Sequence, residues 1–248
     1  MTDLFHPMAA PFHLPGDNGE AVVVIHGFTG IPGHWRLAAE VLNQRGYTVV
    51  APRLPGHGTS IEDMDRYGAG DWIRAVVDAA VSVGNHRRIH LAGLSLGGLL
   101  AVLCAGPTNA ATVTTISAPL RFRRRSIYLA PFLHRFRPYT PWPPAAPPTE
   151  PETAALFITY PGFPTRRAAD LMVVARHARK TARRLRRPAL VVQSAGDETV
   201  HPGSGRLLAR LLGPATQTLW LNDSRHNALL DRERHLIHEA LLHRLAPA

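Results

Sequence analysis

Cysteine is almost missing from this sequence: Cys104 is the one thiol in 248 residues. That excludes a disulfide framework and any zinc site assembled from several thiolates. Lysine is nearly as scarce, with Lys180 alone among 28 basic residues, so guanidinium groups carry the positive charge. No apolar run approaches the roughly 20 residues that a membrane-crossing helix requires. The opening stretch MTDLFHPMAAPFHLPGDNGE has no basic segment leading into an apolar core, which is how a secretory signal reads. A dinucleotide fingerprint is missing too, because the run Gly93–Gly98 lacks the G-x-G-x-x-G spacing. No His, Asp and Glu cluster shows metal-ligand spacing. The expectation is a cytoplasmic globular protein without metal or other cofactor. Its length fits one α/β domain that buries a core unaided.

Acidic residues are also unevenly withheld. The formal net charge is +10, yet residues 121–187 hold 15 basic residues against only Glu150, Glu152 and Asp170. The rest of the chain holds 13 basic against 15 acidic residues. The basicity is therefore local. An arginine-rich genome is one reading; a contact surface for anionic lipid, acidic substrate or nucleic acid is the other. No RNA- or DNA-binding motif accompanies the arginines, so nucleic acid is not an expected partner. Peripheral contact with a lipid interface through the basic segment stays open.

What is present is a rhythm. Ala21–Ile25, Tyr47–Ala51, Arg88–Ala92, Thr112–Ile116, Pro188–Gln193 and Gln217–Leu221 read as strands. Their near-continuous apolarity suits strands covered on both faces of a mostly parallel sheet. Helical stretches lie between them, at His34–Gln44, Gly70–Val83, Leu96–Ala105, Ser204–Leu212 and Ala228–Leu245. This alternation predicts a doubly wound α/β sheet flanked by helices. One interval breaks the pattern. About 70 residues separate two consecutive strands where a crossover needs some 10–20. Its middle, Pro138–Pro151, carries seven prolines, which forbid regular helix or central strand. Its end, Thr165–Arg187, predicts a helix with Leu171, Val174, Ala178 and Leu185 on one face and arginines on the other. The reading is one domain, with a core at about 20–119 and 188–248 and a cap inserted at about 120–187.

The sharpest motif is Gly93-Leu94-Ser95-Leu96-Gly97, a G-x-S-x-G between a strand and a helix. A strand that turns at once into a helix strains the serine and leaves no room for large neighbours at ±2. It also exposes the hydroxyl at a helix N-terminus, where free N–H groups favour developing negative charge. A nucleophilic serine needs a base, and the base needs an orienting acid. In such a fold both arrive on loops after later strands. His226 follows Gln217–Leu221, and Asp197 follows Pro188–Gln193. Glu198, beside Asp197, and Asp223, near His226, remain competing acids. The other histidines have duller readings: His235, His238 and His243 lie on the terminal helix, His86 and His90 flank a strand, and His177 rides the cap helix. Phe28, in His26-Gly27-Phe28-Thr29-Gly30 after the first strong strand, and Leu96 offer backbone N–H groups for an oxyanion. The acyl pocket is expected between Phe28, Leu96 and the apolar face Leu171, Val174 and Ala178. Cys104 reads as an inert buried thiol.

In combination, HGFTG, PRLPGHG (Pro52–Gly58), GDW (Gly70–Trp72), AGLSLGG, GDETVHP and SRH resemble the bacterial carboxylesterase and monoacylglycerol lipase group of α/β-hydrolases. The resemblance runs from about Val22 to Leu245 and departs across the Arg- and Pro-rich cap. It implies a serine esterase with Ser95, Asp197 and His226 as its triad and Phe28 and Leu96 as oxyanion donors. It further implies short- to medium-chain acyl esters or monoacylglycerols as substrates, and a loop-ordering role for His57. The same triad also serves thioester, amide, lactone or C–C bond cleavage. A binding protein on a hydrolase scaffold, or an anionic-surface-binding protein using the cap, are readings of another class.

Overall fold

The computed structural model describes residues 5–143, 148 and 151–246. Its strands are β1 Phe12–Leu14, β2 Glu20–Ile25, β3 Thr48–Ala51, β4 Arg88–Leu94, β5 Thr112–Ile116, β6 Tyr139–Pro141, β7 Gly162–Pro164, β8 Ala189–Ser194 and β9 Thr216–Leu221. Seven of them form one sheet in the order β1-β3-β2-β4-β5-β8-β9. Every pairing in it is parallel except β1 with β3. Side chains alternate across a strand, so a sheet covered on both sides needs apolar residues at every position. Strand β2 does this: Ala21, Val23 and Ile25 enter one core, and Val22 and Val24 the other. Fully burying each of these valine and isoleucine side chains is worth roughly 1.5–3 kcal/mol.

The helices are α1 Arg36–Asn43, α2 Ile61–Met64, α3 Ala69–Ser82, α4 Leu96–Cys104, α5 Ala130–Leu133, α6 Pro151–Ala154, α7 Thr165–Ala182, α8 Gly203–Leu212 and α9 Arg234–Leu245. Trp72 of α3, Leu99 and Leu100 of α4, Leu171 and Val174 of α7 and Leu208 of α8 share the first core. Leu42 of α1 and Ile237 and Leu241 of α9 share the second. The mostly parallel α/β sheet flanked by helices that the strand–helix rhythm predicts is the one observed.

Four details differ from the sequence reading. Strand β1 is new, a three-residue antiparallel edge too short to carry a pattern. The helix expected from His34 opens as a 3-10 turn, Pro32–Trp35, before α1 begins at Arg36. The terminal helix is not continuous: a 3-10 turn, Ala228–Leu230, is separated from α9 by Asp231–Glu233. The Asp231 carboxylate there accepts from the Arg225 N–H at 2.7 Å, and Glu233 accepts from the N–H groups of Asn222 and Asp223 at 3.0 and 2.9 Å. The break thus supplies two carboxylates that fasten the loop carrying His226.

The fourth difference concerns the cap. Helix α7 does put Leu171, Val174 and Ala178 on one face, but that face packs into the main core with α4. It serves as the crossover helix between β5 and β8. Residues between Phe122 and Phe163 supply much of the lining of a cavity at the sheet's carboxyl edge. In the proline-rich stretch, β6 pairs antiparallel with β7 in a separate two-stranded sheet, a place where proline is tolerated. Positions 144–147, 149 and 150 of that stretch lie outside the described residues.

Candidate active site

Ser95 ends β4 and caps α4 with φ 55° and ψ −115°, a conformation that costs a non-glycine residue of order 1–3 kcal/mol. The flanking glycines are what make the turn fit. A Cβ on Gly93 would meet the Gly97 carbonyl carbon at 2.1 Å, and one on Gly97 would meet the Ile25 carbonyl oxygen at 2.1 Å. The Ser95 N–H is anchored to the Ile116 carbonyl at 2.8 Å. The side chain is left facing a cavity of about 730 Å³ under the cap.

Loops after β8 and β9 bring the other two predicted residues to Ser95. His226 Nε2 lies 3.1 Å from Ser95 Oγ, and His226 Nδ1 lies 3.0 and 3.1 Å from the two Asp197 oxygens. Asp197 is fully buried; its Oδ1 accepts from the N–H groups of Thr199 and Val200 at 2.9 and 2.7 Å, and its Oδ2 from Gln193 Nε2 at 3.2 Å. Burial alone would raise its pKa, but the His226 charge and hydrogen bond, with the two backbone N–H groups, bring it below the ordinary value. An ionised Asp197 obliges Nδ1 to donate, which leaves Nε2 free to accept the hydroxyl proton of Ser95.

The competing acids sit elsewhere. Glu198 accepts from the backbone N–H of His226 at 3.0 Å and does not touch the ring through a hydrogen bond. Asp223 donates its N–H to Glu233 and makes no hydrogen bond with His226 among the described residues. Of the proposed oxyanion donors, neither the Phe28 nor the Leu96 N–H has an acceptor among the described residues. The Phe28 and Leu171 side chains line the cavity, whereas Leu96, Val174 and Ala178 are buried in the core and do not. The expected acyl wall therefore reduces, on the α7 side, to Leu171 with Thr165 and Ala168 of the first turn.

Several contacts were not readable from sequence. His34 is buried in the cavity wall; its Nε2 donates to the Ile158 carbonyl of the cap at 2.8 Å, and its Nδ1 accepts from Asn227 at 3.3 Å. Burial lowers its pKa to about 4, so it is neutral near pH 7. Arg123 donates to the Asp197 and Ala195 carbonyls and, through its N–H, to the Thr199 carbonyl, tying the start of the cap to the acid loop. Thr29 holds φ 62°, a strained value for a β-branched residue. The cap grips it: Trp142 Nε1 donates to its hydroxyl at 3.1 Å, and the Thr159 hydroxyl and Tyr160 N–H to its carbonyl at 3.0 and 3.3 Å.

His57 is buried between the rings of His26, Phe28 and Trp72, and its Nδ1 donates to the Pro55 carbonyl at 3.1 Å. Burial lowers it to about 4 as well. Burial pushes the Cys104 thiol up to about 12, which keeps it protonated and unreactive. Among the described residues no group of three or more His, Cys, Asp or Glu side chains is placed to hold a metal. No helix among them is long and apolar enough to cross a membrane.

A sequence profile described as the alpha/beta hydrolase family matches residues 22–242. The chain belongs to the α/β-hydrolase family. This α/β-hydrolase is 27% identical to a carboxylesterase of Bacillus subtilis (strain 168), over 92% of its own length and 93% of the relative's. It is 31% identical to a thermostable monoacylglycerol lipase of Bacillus sp. (strain H-257), over 94% and 93%. Among solved structures, a chain from a study of the metagenome-derived lipolytic enzymes LipS and LipT superimposes with a TM-score of 0.87 at 32% identity, covering 96% of this hydrolase and 97% of that chain.

The site's pH behaviour follows from His226. Burial opposes its charged form, but the Asp197 charge and hydrogen bond, with the charge of Glu198, outweigh burial and raise its pKa above 6.5. A general base must be neutral to accept a proton, so a reaction that used His226 as its base would be lost as pH falls through that raised pKa. A pH profile of kcat/KM on a soluble ester is expected to show its acid limb above about 6.5. A rate that stays flat to about pH 4 would exclude a histidine base.

Proposed function

We propose that this α/β-hydrolase cleaves carboxylic esters through an acyl-enzyme on Ser95. The observation that carries the reading is the unbroken Ser95–His226–Asp197 hydrogen-bond chain beside two unpaired backbone N–H groups, at the floor of an apolar cavity. His226 Nε2 takes the Ser95 proton as Oγ attacks the ester carbonyl carbon. Negative charge moves to the carbonyl oxygen, where the Phe28 and Leu96 N–H groups receive it. The imidazolium, stabilised by Asp197, returns the proton to the leaving alcohol oxygen as the C–O bond breaks. Water then attacks the acyl-enzyme carbonyl carbon, giving a proton to His226, which passes it to Ser95 Oγ as the C–Oγ bond breaks and the free acid leaves.

The preferred substrates are short- to medium-chain acyl esters or monoacylglycerols. The carboxylesterase and monoacylglycerol lipase named above act on carboxylic esters, and the cavity volume suits a small ligand. Its wall joins Phe28 to Trp142 and Phe163 of the cap, with ring centroids 6.4 and 5.4 Å away. The test is a series of p-nitrophenyl esters from acetate to palmitate, with a monoacylglycerol and an acyl thioester added. Turnover is expected to pass through a maximum at short or medium chain length; a thioester preferred over every ester would overturn the reading.

Leu171 and Ala130 line the same cavity and so set its length. Leu171→Phe and Ala130→Leu are expected to bias kcat/KM toward shorter acyl chains. One methylene in an apolar pocket discriminates by about 10–200-fold, so the profile should move visibly between neighbouring chain lengths. Ala178→Leu makes a contrast: Ala178 is fully buried in the core, so it should cost about 1–3 kcal/mol of stability and leave the chain-length profile in place.

A further inference from the structure

Six of the nine large apolar side chains exposed among the described residues fall within twelve positions: Tyr128, Leu129, Phe132, Leu133, Phe136 and Tyr139. Phe132 and Phe136 are 75% and 88% exposed. Large apolar side chains exposed this densely in one short segment mark a contact surface. The 3-10 turn Arg125–Leu129 and α5 turn their small and aliphatic side inward, with Ala130 packed on Phe163 and Ala168. The large residues are left pointing out.

The charge around the patch is one-sided. No acidic residue occurs between positions 121 and 149, and six arginines do. Of these, Arg121 is bonded through its backbone to His201 and Ser204, and the Arg123 guanidinium to the Asp197 and Ala195 carbonyls. The guanidinium groups of Arg124, Arg125, Arg135 and Arg137 form no hydrogen bond or ion pair among the described residues. Bulky aromatic and aliphatic side chains interleaved with unpaired arginines form the pattern of a segment lying in a lipid headgroup layer. Leu133 is both exposed and part of the cavity wall, as are Arg124 and Arg137. The patch therefore adjoins the cavity mouth.

We infer that residues 124–139 dock the enzyme onto an anionic lipid surface, with Phe132 and Phe136 inserted among the headgroups and Arg124, Arg125, Arg135 and Arg137 paired with lipid phosphates. The arginines on the far part of α7, such as Arg183 and Arg184, do not belong to this surface: Val173 is the one exposed large apolar residue on that helix. Docking in this way delivers an amphiphilic substrate beside the cavity mouth. It is independent of the chemistry assigned to Ser95, and the Ser95→Ala protein keeps it.

The test is cosedimentation of the full chain with vesicles of pure phosphatidylcholine and of phosphatidylcholine with phosphatidylglycerol. Binding is expected to the anionic vesicles and to weaken strongly from about 0.1 to 1 M salt, as the screening length shrinks. Phe132→Ser with Phe136→Ser should reduce it by at least about tenfold, and Arg125→Gln with Arg135→Gln by about fivefold per arginine. Both variants should hydrolyse p-nitrophenyl acetate at the parental rate, which also shows that they fold. Arg183→Gln with Arg184→Gln should change binding less than about twofold. Equal binding to neutral and anionic vesicles, no binding to either, or binding untouched by the Phe132 and Phe136 changes would overturn the inference. So would a dimer in sedimentation equilibrium that dissociates in the phenylalanine variant, since the patch would then belong to a second copy.

Discussion

Alanine at position 95 is expected to lower ester turnover by about 10³–10⁶-fold while leaving the protein folded. The fold should survive because the hydroxyl's contact in the site is with His226, and the strained backbone is held by its neighbours: the Ser95 N–H on Ile116, and Gly93 and Gly97 in van der Waals reach of their surroundings. Alanine meets the same steric demand as serine at φ 55°. Some rate should remain, since the Phe28 and Leu96 N–H groups are untouched. The checks are a thermal melt beside the kinetic assay, and a fluorophosphonate probe that labels the wild type on Ser95. Normal turnover in the variant, or labelling on a different residue, would remove Ser95 from the mechanism.

Asp197→Asn should be nearly as damaging, with kcat down by about 10⁴-fold. The asparagine fits the same space and can still accept from Thr199 and Val200 through its oxygen. Its NH₂ group would then face His226 Nδ1, favouring the tautomer with its proton on Nε2, which cannot take a proton from Ser95. Glu198→Gln makes the comparison informative. Its amide oxygen can still accept from the His226 N–H, so the loop stays in place, but one charge that raises the His226 pKa is gone. The expected result is a loss of no more than about tenfold and an acid limb moved to lower pH. If Glu198→Gln proves the more severe change, Glu198 is the acid that orients the base.

The two halves of the site were unequally legible. Strands β2, β5 and β8 announce themselves because every position is buried, which leaves short runs dominated by apolar or β-branched residues. Ser95 was legible because one local turn imposes its glycines. Asp197 and His226 could be placed on the right loops by chain order, and the resemblance favoured Asp197; how Asp197, Glu198 and Asp223 are each bonded around His226 is visible only in the distances. The amphipathic face of α7 was visible, yet periodicity tells which residues are buried and is silent on what buries them; Val174 and Ala178 went to α4 rather than to the cavity. The break before α9 escaped for a related reason. Its cause is a set of hydrogen bonds from Asp231 and Glu233 to residues 222–225, and no helical pattern records them.

Thr29 bears on how exchangeable the parts of this enzyme are. Its strained turn precedes Gly30 and follows Phe28, and the residues that hold it, Trp142, Thr159 and Tyr160, all come from the cap. A cap transplanted from a relative to alter chain-length preference would import a new pocket and, unless it brought equivalents of these three, would leave the turn to relax. The Phe28 N–H would then leave its position, and the chimera would bind esters without turning them over. Point substitutions on the cavity wall are therefore expected to alter chain-length preference with less loss of turnover than exchange of the whole segment that carries Trp142, Thr159 and Tyr160.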